Sequence, residues 1–336
     1  MVCLDTMMKA VNSTIKKRGD DVYFNRLLTY FQNQFKGKIK KFSPIRQYVF
    51  YVETTKSRLI IKGYPSFNRL RLQETFTSTL LSEGFHDTYS FIHPTGNEPL
   101  MLDNMYYGCI EYIEPHKKNF SFHSQRERRE GLDLLREFHY VTEAFEKRYR
   151  TLLPKAQLLK KWQERAQFFE KNHTFLHYFL KNEVLEELRN WSNWSIDGME
   201  KNSGYFVDEP YVILHGDVAH HNFLRDSSGG LKLIDFDLIS IGPECVDIIQ
   251  YVNRILPSLD WSLKDLQKYD QIKKRMKDRA FLFSLAYPAD IFREWNRIIK
   301  DKMHTNTAHT QQVLDLTLKQ FHLRQKFYTK LRKYLD

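Results

Sequence analysis

Cysteine is scarce in this chain, with only Cys3, Cys109 and Cys245 among 336 residues. Their spacing fits no metal-ligand pattern, and three are too few for a disulfide framework, so a reducing compartment is expected. No stretch reaches the roughly 18 uninterrupted apolar residues of a membrane helix. The opening segment MVCLDTMMKAVNSTIKKRGDD lacks the apolar core of a secretory signal. A cytoplasmic protein with no membrane partner is the expectation. Internal repeats, low-complexity tracts and long linkers are missing too. Positive charge, by contrast, is in excess, at +11. It is denser at Lys36–Lys41, Arg126–Arg129 and Arg324–Arg332. Solvated helix faces account for such runs, and so would attraction of an anionic ligand. No nucleic-acid module accompanies the charge, so nucleic acid is not an expected partner.

The length suits two domains or one two-lobed unit. The 25 Phe and 19 Tyr supply enough apolar area for a packed core. Apolar spacing predicts a helix over 23–35, with Phe24, Leu27, Leu28, Phe31 and Phe35 on one face. Alternation then predicts strands at 47–53 and 58–64 joined by a polar turn. A helix over 68–83 follows, with Gly84 placed to end it. Short strands are expected within 88–94, 99–104 and 106–114. From residue 114 the pattern turns helical, with a long amphipathic helix over 126–152, more helix over 156–195, and helix again from 263 to 335. The expected fold class is therefore α+β: a small sheet-rich lobe over 1–113 and a larger, mostly helical lobe over 114–336.

The chemistry concentrates in YVILHGDVAHHNFL (211–224) and LKLIDFDLISIGPECVDI (231–248). Each reads as a strand followed by a polar loop. Asp217 follows an apolar strand and is a candidate general base. Asn222 offers a neutral amide oxygen and Asp235 a carboxylate; together they suit Mg²⁺ on ATP. Each residue alone would pass as a turn former. The five-residue step from Asp217 to Asn222 and the strand-borne Asp235 thirteen further on favour the functional reading. Asp237 is a further metal ligand or an exposed acid. His215 is expected to orient the loop by hydrogen bonding. Asp247 is expected to tie the loop to the next helix. His220 and His221 have no Cys/His partners for zinc. In the first lobe, Lys62 ends a strand and Glu74 lies in the next helix, an order in which a glutamate holds a lysine against the α- and β-phosphates. Glu111, Tyr112 and Ile113 sit where a connector would offer main-chain groups to adenine.

These motifs resemble the aminoglycoside phosphotransferase/choline kinase superfamily, with its protein-kinase-like fold. The H-x-D-x-x-x-x-N loop is matched by His215, Asp217 and Asn222. The following I-D is matched by Ile234 and Asp235, and the downstream glycine and aspartate by Gly242 and Asp247. LLREFH (134–139) is similar to the motif that ends the first long helix of the second lobe, and Lys62 with Glu74 matches the nucleotide lysine and its partner. The likeness runs over about residues 40–255. It implies a two-lobed protein-kinase-like fold with an antiparallel-sheet N-lobe, ATP and Mg²⁺ as cofactors, and transfer of the γ-phosphate to a small-molecule hydroxyl acceptor, such as an aminoglycoside, choline, homoserine or a sugar. A narrower likeness is to uncharacterised bacterial kinases and the spore-coat kinase-like proteins of bacilli.

One departure stands out. The hairpin that should cover the phosphates, KKFSPIRQYVFYVE, has no glycine between Gly37 and Gly63, leaving Ser43, Arg46 and Gln47 to contact phosphate. A catalytically weak or inactive kinase-like structural protein, such as one of the spore coat, is therefore the second reading. A protein kinase ranks last, because DFD replaces D-F-G and no A-P-E-like segment follows. In the helical lobe Trp162, Trp191 and Trp194, near Glu183, Glu186 and Glu187, would suit a cationic acceptor. Core packing explains the same aromatics.

Overall fold

The computed structural model describes residues 18–35, 37–94, 96, 98–303 and 306–336. Cys3, Lys36 and the opening segment lie outside the described residues. The chain divides into two compact units. The first runs up to Ser121 and also includes His220–Asp237; the second comprises Phe122–Ala219 and Leu238–Asp336.

The first unit is built on an antiparallel sheet in the order β1-β2-β3-β6-β4, with β5 also pairing β6. Its strands are β1 (Ile39–Arg46), β2 (Val49–Thr54), β3 (Arg58–Tyr64), β4 (Phe91–Ile92), β5 (Leu100–Leu102) and β6 (Met105–Glu111). Residue pattern alone starts the sheet at Gln47, but β1 precedes it. Pro44 hides that strand from a propensity reading, yet proline is tolerated because β1 is an edge. The helix Arg18–Gln34 lays Leu27 and Phe31 on Val52, Leu59, Ile61 and Tyr107, forming one apolar core. Lys62 pairs with Val49 on one side and Gly108 on the other, which fixes its place mid-sheet. The helix Phe67–Ser82 is capped by Ser66, whose hydroxyl accepts from the Arg69 N–H at 3.2 Å. It ends at Glu83, before Gly84 in the left-handed region (φ 98°). A further hairpin joins β8 (Phe223–Arg225) to β9 (Leu231–Leu233).

The second unit is mostly helical. The helix predicted over 126–152 starts at Gln125 behind a Ser124 cap and stops at Phe145, where a 3₁₀ turn over Glu146–Tyr149 takes over. Leu132, Leu135, Phe138 and Phe145 are buried as the spacing requires. Helices Leu158–Lys171 and Asn182–Glu200 follow, then the antiparallel pair β7 (Tyr211–Leu214) and β10 (Ser240–Pro243). Helices Cys245–Ile255, Arg279–Ala286, Ala289–Lys300, Thr307–Leu318 and Phe321–Leu335 complete the unit, with shorter turns between them. The tryptophans belong to this core. Trp162 stacks on Tyr287 at 4.3 Å, Trp191 packs on Phe321 and Trp194 on Phe283. Among the described residues no helix is long and apolar enough to cross a membrane, and the free thiols Cys109 and Cys245 are both buried.

Helices Asn182–Glu200 and Arg279–Ala286 approach closely at Gly198. A Cβ there would fall 2.1 Å from the Phe283 ring. Gly198→Ala must push that ring out of its packing and is expected to cost about 1–3 kcal/mol, read as a lowered urea midpoint with an unchanged slope.

Candidate active site

The Asp217 loop is organised by a carboxylate remote in sequence. Asp247 lies in the first turn of helix Cys245–Ile255 and is fully buried. The His215 N–H donates to its Oδ2 at 2.7 Å and the Gly216 N–H to its Oδ1 at 3.0 Å. His139, from the end of LLREFH, places Nε2 3.0 Å from Oδ2. Burial works against the charged carboxylate, yet the His139 hydrogen bond, the two histidines and the Gly216 amide outweigh it and hold Asp247 below its ordinary value. Gly216 cannot be another residue: its φ is 79°, and a Cβ would sit 2.2 Å from the Leu238 carbonyl oxygen. The Asp217 N–H then donates to His215 Nδ1 at 3.3 Å. His215 therefore orients the loop through hydrogen bonds. The Asp217 carboxylate accepts from Arg254 Nη2 at 2.6 Å.

In the first unit two aspartates converge on one cation. Lys62 Nζ lies 2.7 Å from Asp235 Oδ1 and 2.7 Å from Asp237 Oδ2. Arg46, at the end of β1, donates to the other Asp235 oxygen at 2.7 Å. Burial raises the Asp235 pKa, but Lys62 and Arg46 together overcome it and hold the carboxyl well below the usual carboxylate range. Asp235 adopts φ 71°, a left-handed conformation that costs a non-glycine residue and concentrates at functional sites. The strand ends at Leu233, so Asp235 stands two residues beyond it. Its turn is held from both sides: Gln73, buried, donates to the Phe236 carbonyl at 2.8 Å, and Arg69 donates to the Asp237 carbonyl. Asn222 is buried, and its carbonyl accepts from the Ile234 N–H at 2.9 Å, next to Asp235.

The expected ion pair between Lys62 and Glu74 is not formed. Glu74 pairs instead with Arg71 at 3.0 Å along its own helix, and the two aspartates take the lysine. In the connector, the Glu111 N–H donates to the Ser90 carbonyl at 3.0 Å, so that amide is already used. Tyr112 packs edge-on to Tyr51 and under Arg58, and Ile113 is half-buried. His220 and His221 are exposed and pack against each other.

The donor set fits a hard cation. Two carboxylates already meet on one positive group, and the main chain of Asn222 is bonded to that of Ile234, the residue before Asp235. Among the described residues no cluster of three or more His, Cys, Asp or Glu is placed to hold a metal. Magnesium held by one or two protein groups together with phosphates needs no such cage.

Residues 114–274 match the model of the phosphotransferase enzyme family. They contain His139, His215, Asp217, Asn222, Asp235 and Asp247. The match covers just under half of the chain. Its fold is similar to that of an aminoglycoside phosphotransferase from Alicyclobacillus acidocaldarius, with 16% identity, a TM-score of 0.69, and coverage of 90% of this chain and 94% of that one. It is also similar to an AMP-bound spectinomycin phosphotransferase (14%, TM-score 0.64, 89% and 97%). An amicoumacin kinase in complex with AMP-PNP, Ca²⁺ and Ami is a third (13%, 0.56, 91% and 93%). No curated protein matches the chain. The α+β class and the pairing of an antiparallel sheet with a mostly helical part agree with these kinase-like folds.

The family match takes in the motif residues of the second half but not all of the site. Arg254 on Asp217 and Gln73 under the Asp235 turn carry no spacing signal. Arg46 had one, as a polar residue in the phosphate-covering hairpin, but not toward Asp235.

Asp247→Asn leaves one acceptor oxygen for three donors and turns an NH₂ toward a backbone N–H. A loss of about 1–3 kcal/mol at neutral pH is expected. The folded-state pKa of Asp247 is depressed. Its contribution is therefore complete above about pH 4 and lost as the pH falls through the folded value. Urea unfolding from about pH 6 to pH 3 should show a smaller loss in the variant than in the native protein.

Proposed function

We propose that the protein is an ATP- and Mg²⁺-dependent phosphotransferase acting on a small-molecule hydroxyl. The observation that carries this reading is the convergence of Asp235 and Asp237 on Lys62 Nζ, both at 2.7 Å. A lysine and two acids in that relation suit the phosphates of a nucleotide and the cation that travels with them. Asn222 and Asp235, with Asp237, would hold Mg²⁺, which when bound neutralises phosphate charge. Lys62 would contact the α- and β-phosphates. The hinge segment Glu111–Ile113 would face adenine through main-chain groups other than the Glu111 N–H. Asp217, ordered by His215 and Asp247, would take the acceptor's proton. The acceptor oxygen then bonds to the γ-phosphorus, the bond from that phosphorus to the β-γ bridging oxygen breaks, and ADP leaves with the electron pair. The AMP, AMP-PNP and GDP complexes of similar folds support binding of a purine nucleotide. Buried free thiols support a cytoplasmic setting.

A second reading, a kinase-like protein without turnover, is favoured by one contact. Arg46, from the glycine-free hairpin, occupies the Asp235 oxygen that Lys62 leaves free. Tight Mg·ATP binding without ADP release on any acceptor would select it, with the spore coat as its setting.

Asp217→Ala should lower kcat by roughly 10²–10⁴-fold, the span of general-base catalysis, while nucleotide Kd stays within about twofold. Unchanged turnover would remove Asp217 from the reaction. Asp235→Ala should weaken ATP binding by about tenfold or more in the presence of Mg²⁺ and by less without it, read by calorimetry in both conditions.

A further inference from the structure

Asp217 stands among more positive than negative groups, all of them in the second unit. β7 ends at Leu214, opposite Ser240 of β10. Beside β10, the Ala156 N–H donates to the Ile241 carbonyl and the Ile241 N–H to the Pro154 carbonyl, each at 2.8 Å. Helix Leu158–Lys171 therefore starts next to the strand pair that carries the Asp217 loop. Lys161 lies in its first turn and Arg165 one turn later, on the same face. Helix Ala289–Lys300 is bound to it: Asn296 Nδ2 donates to the Arg165 carbonyl at 2.9 Å, and Phe292 stacks on Phe169 at 4.1 Å. That helix brings Arg293. Arg254 completes the group at 2.6 Å from Asp217.

These charges act on one another. Burial, then Arg165 and Arg293, hold the Lys161 ammonium below its ordinary value, while Asp217 pulls it up. Arg165 and Arg254 are lowered in the same way, by burial and by Arg293. Lys161 is nonetheless exposed, so its ammonium is open to a solute. The neighbouring acids do not balance the group. Asp290 is taken by Arg324 through two bonds, at 2.9 and 2.5 Å. Glu294 is shared between Arg293 at 2.8 Å and Arg297 at 3.2 Å. Among the described residues neither Lys161 nor Arg165 has a carboxylate within ion-pair distance. Like charges gathered in partly buried surroundings oppose each other, and an anion bound among them removes that opposition.

We propose that this cluster is the acceptor subsite and that the acceptor is an anion, a hydroxyl compound whose carboxylate or phosphate is held by Lys161, Arg165 and Arg293 beside Asp217. The inference rests on the kinase reading and narrows it. Cationic acceptors such as amino sugars or choline would meet like charge here. The aromatics that would suit them, Trp162 and Trp191, are core.

The test uses the full chain with Mg²⁺ and three groups of hydroxyl compounds. The anions are glycerate and glycerol 3-phosphate, which separate carboxylate from phosphate; glycerol and glucose are neutral; choline and kanamycin are cationic. ADP release is followed with ATP, and binding by calorimetry with AMP-PNP present. At least one anion should bind and be phosphorylated, and no cation should be. Lys161→Ala and Arg293→Ala should each raise the anion's KM and Kd about tenfold, Arg293→Lys should recover part of this, and the KM for ATP should stay within about twofold. Unchanged thermal midpoints would exclude misfolding. Anion binding that the variants abolish, without turnover, would overturn the kinase reading and leave the subsite standing. Turnover of neutral or cationic compounds without anion binding would overturn the subsite and leave the kinase reading standing. The subsite is also overturned if neither anion binds, or if the KM for ATP rises in place of the acceptor's.

Discussion

A carboxylate with no water around it must be held by donors, and Asp247 is such a group. It gathers the His215 and Gly216 amides and the His139 ring, so three separate elements meet on two oxygen atoms. The consequence falls on Asp217. With the two preceding amides engaged and Gly216 confined to the left-handed region, the loop has one course out of β7. The Asp217 amide then closes on His215 Nδ1. The direction of the candidate base is thus set by a residue thirty positions away that touches no substrate. Removing any one of the three donors would leave a buried charge short of a partner, and breaking a buried network costs more than the network contributes net. That asymmetry keeps the arrangement rigid.

The acids of the first unit obey the same electrostatics with the opposite outcome. Asp235 is also charged and partly buried, and its carboxyl is also held down by neighbours. Its partners, however, are side chains that can exchange. Arg46 is half exposed and ends a long flexible stem. Lys62 is buried and shares its ammonium between two acids. Arg46 can therefore give way to a metal ion at this carboxylate without stranding a buried charge. Asp247 is a closed structural lock and Asp235 an open ligand set, and the difference lies in what donates to each. Backbone amides are fixed by the fold; arginine and lysine termini are not.

Legibility in the sequence follows the same division. His215, Asp217, Asn222, Asp235 and Asp247 were visible because strand-then-loop order and short spacings place them locally. The sheet and most helices were visible because apolar periodicity is local too. Lys62 with Glu74 was misread because their spacing says nothing of which way a helix side chain faces. One position earlier, Gln73 turns inward to the Phe236 carbonyl, while Glu74 meets Arg71 on its own helix. The helix beginning at Gln125 stops seven residues before the periodicity does, because Glu146–Tyr149 tightens to 3₁₀ geometry. Chain order assigns 220–237 to the later part, whereas its contacts belong to the first unit. Packing, not pattern, decides that.

Charge placement was the least legible of all. A total of +11 spread over many segments reads as solvated surface. The cations that matter come from three helices with no common spacing, and only packing brings them together. Core packing between Phe292 and Phe169 and between Tyr287 and Trp162 carries Arg293 toward Arg165. The aromatic pairs thus serve the site indirectly: they do not line it for a cation, but they align the helices that bear its arginines. Nearby acids were available to cancel those charges, yet Asp290 is committed to Arg324, itself stacked on Trp261 at 4.1 Å. A charge excess that persists beside a candidate base, with its natural neutraliser drawn off elsewhere, is the electrostatic complement of an anion that arrives from solution.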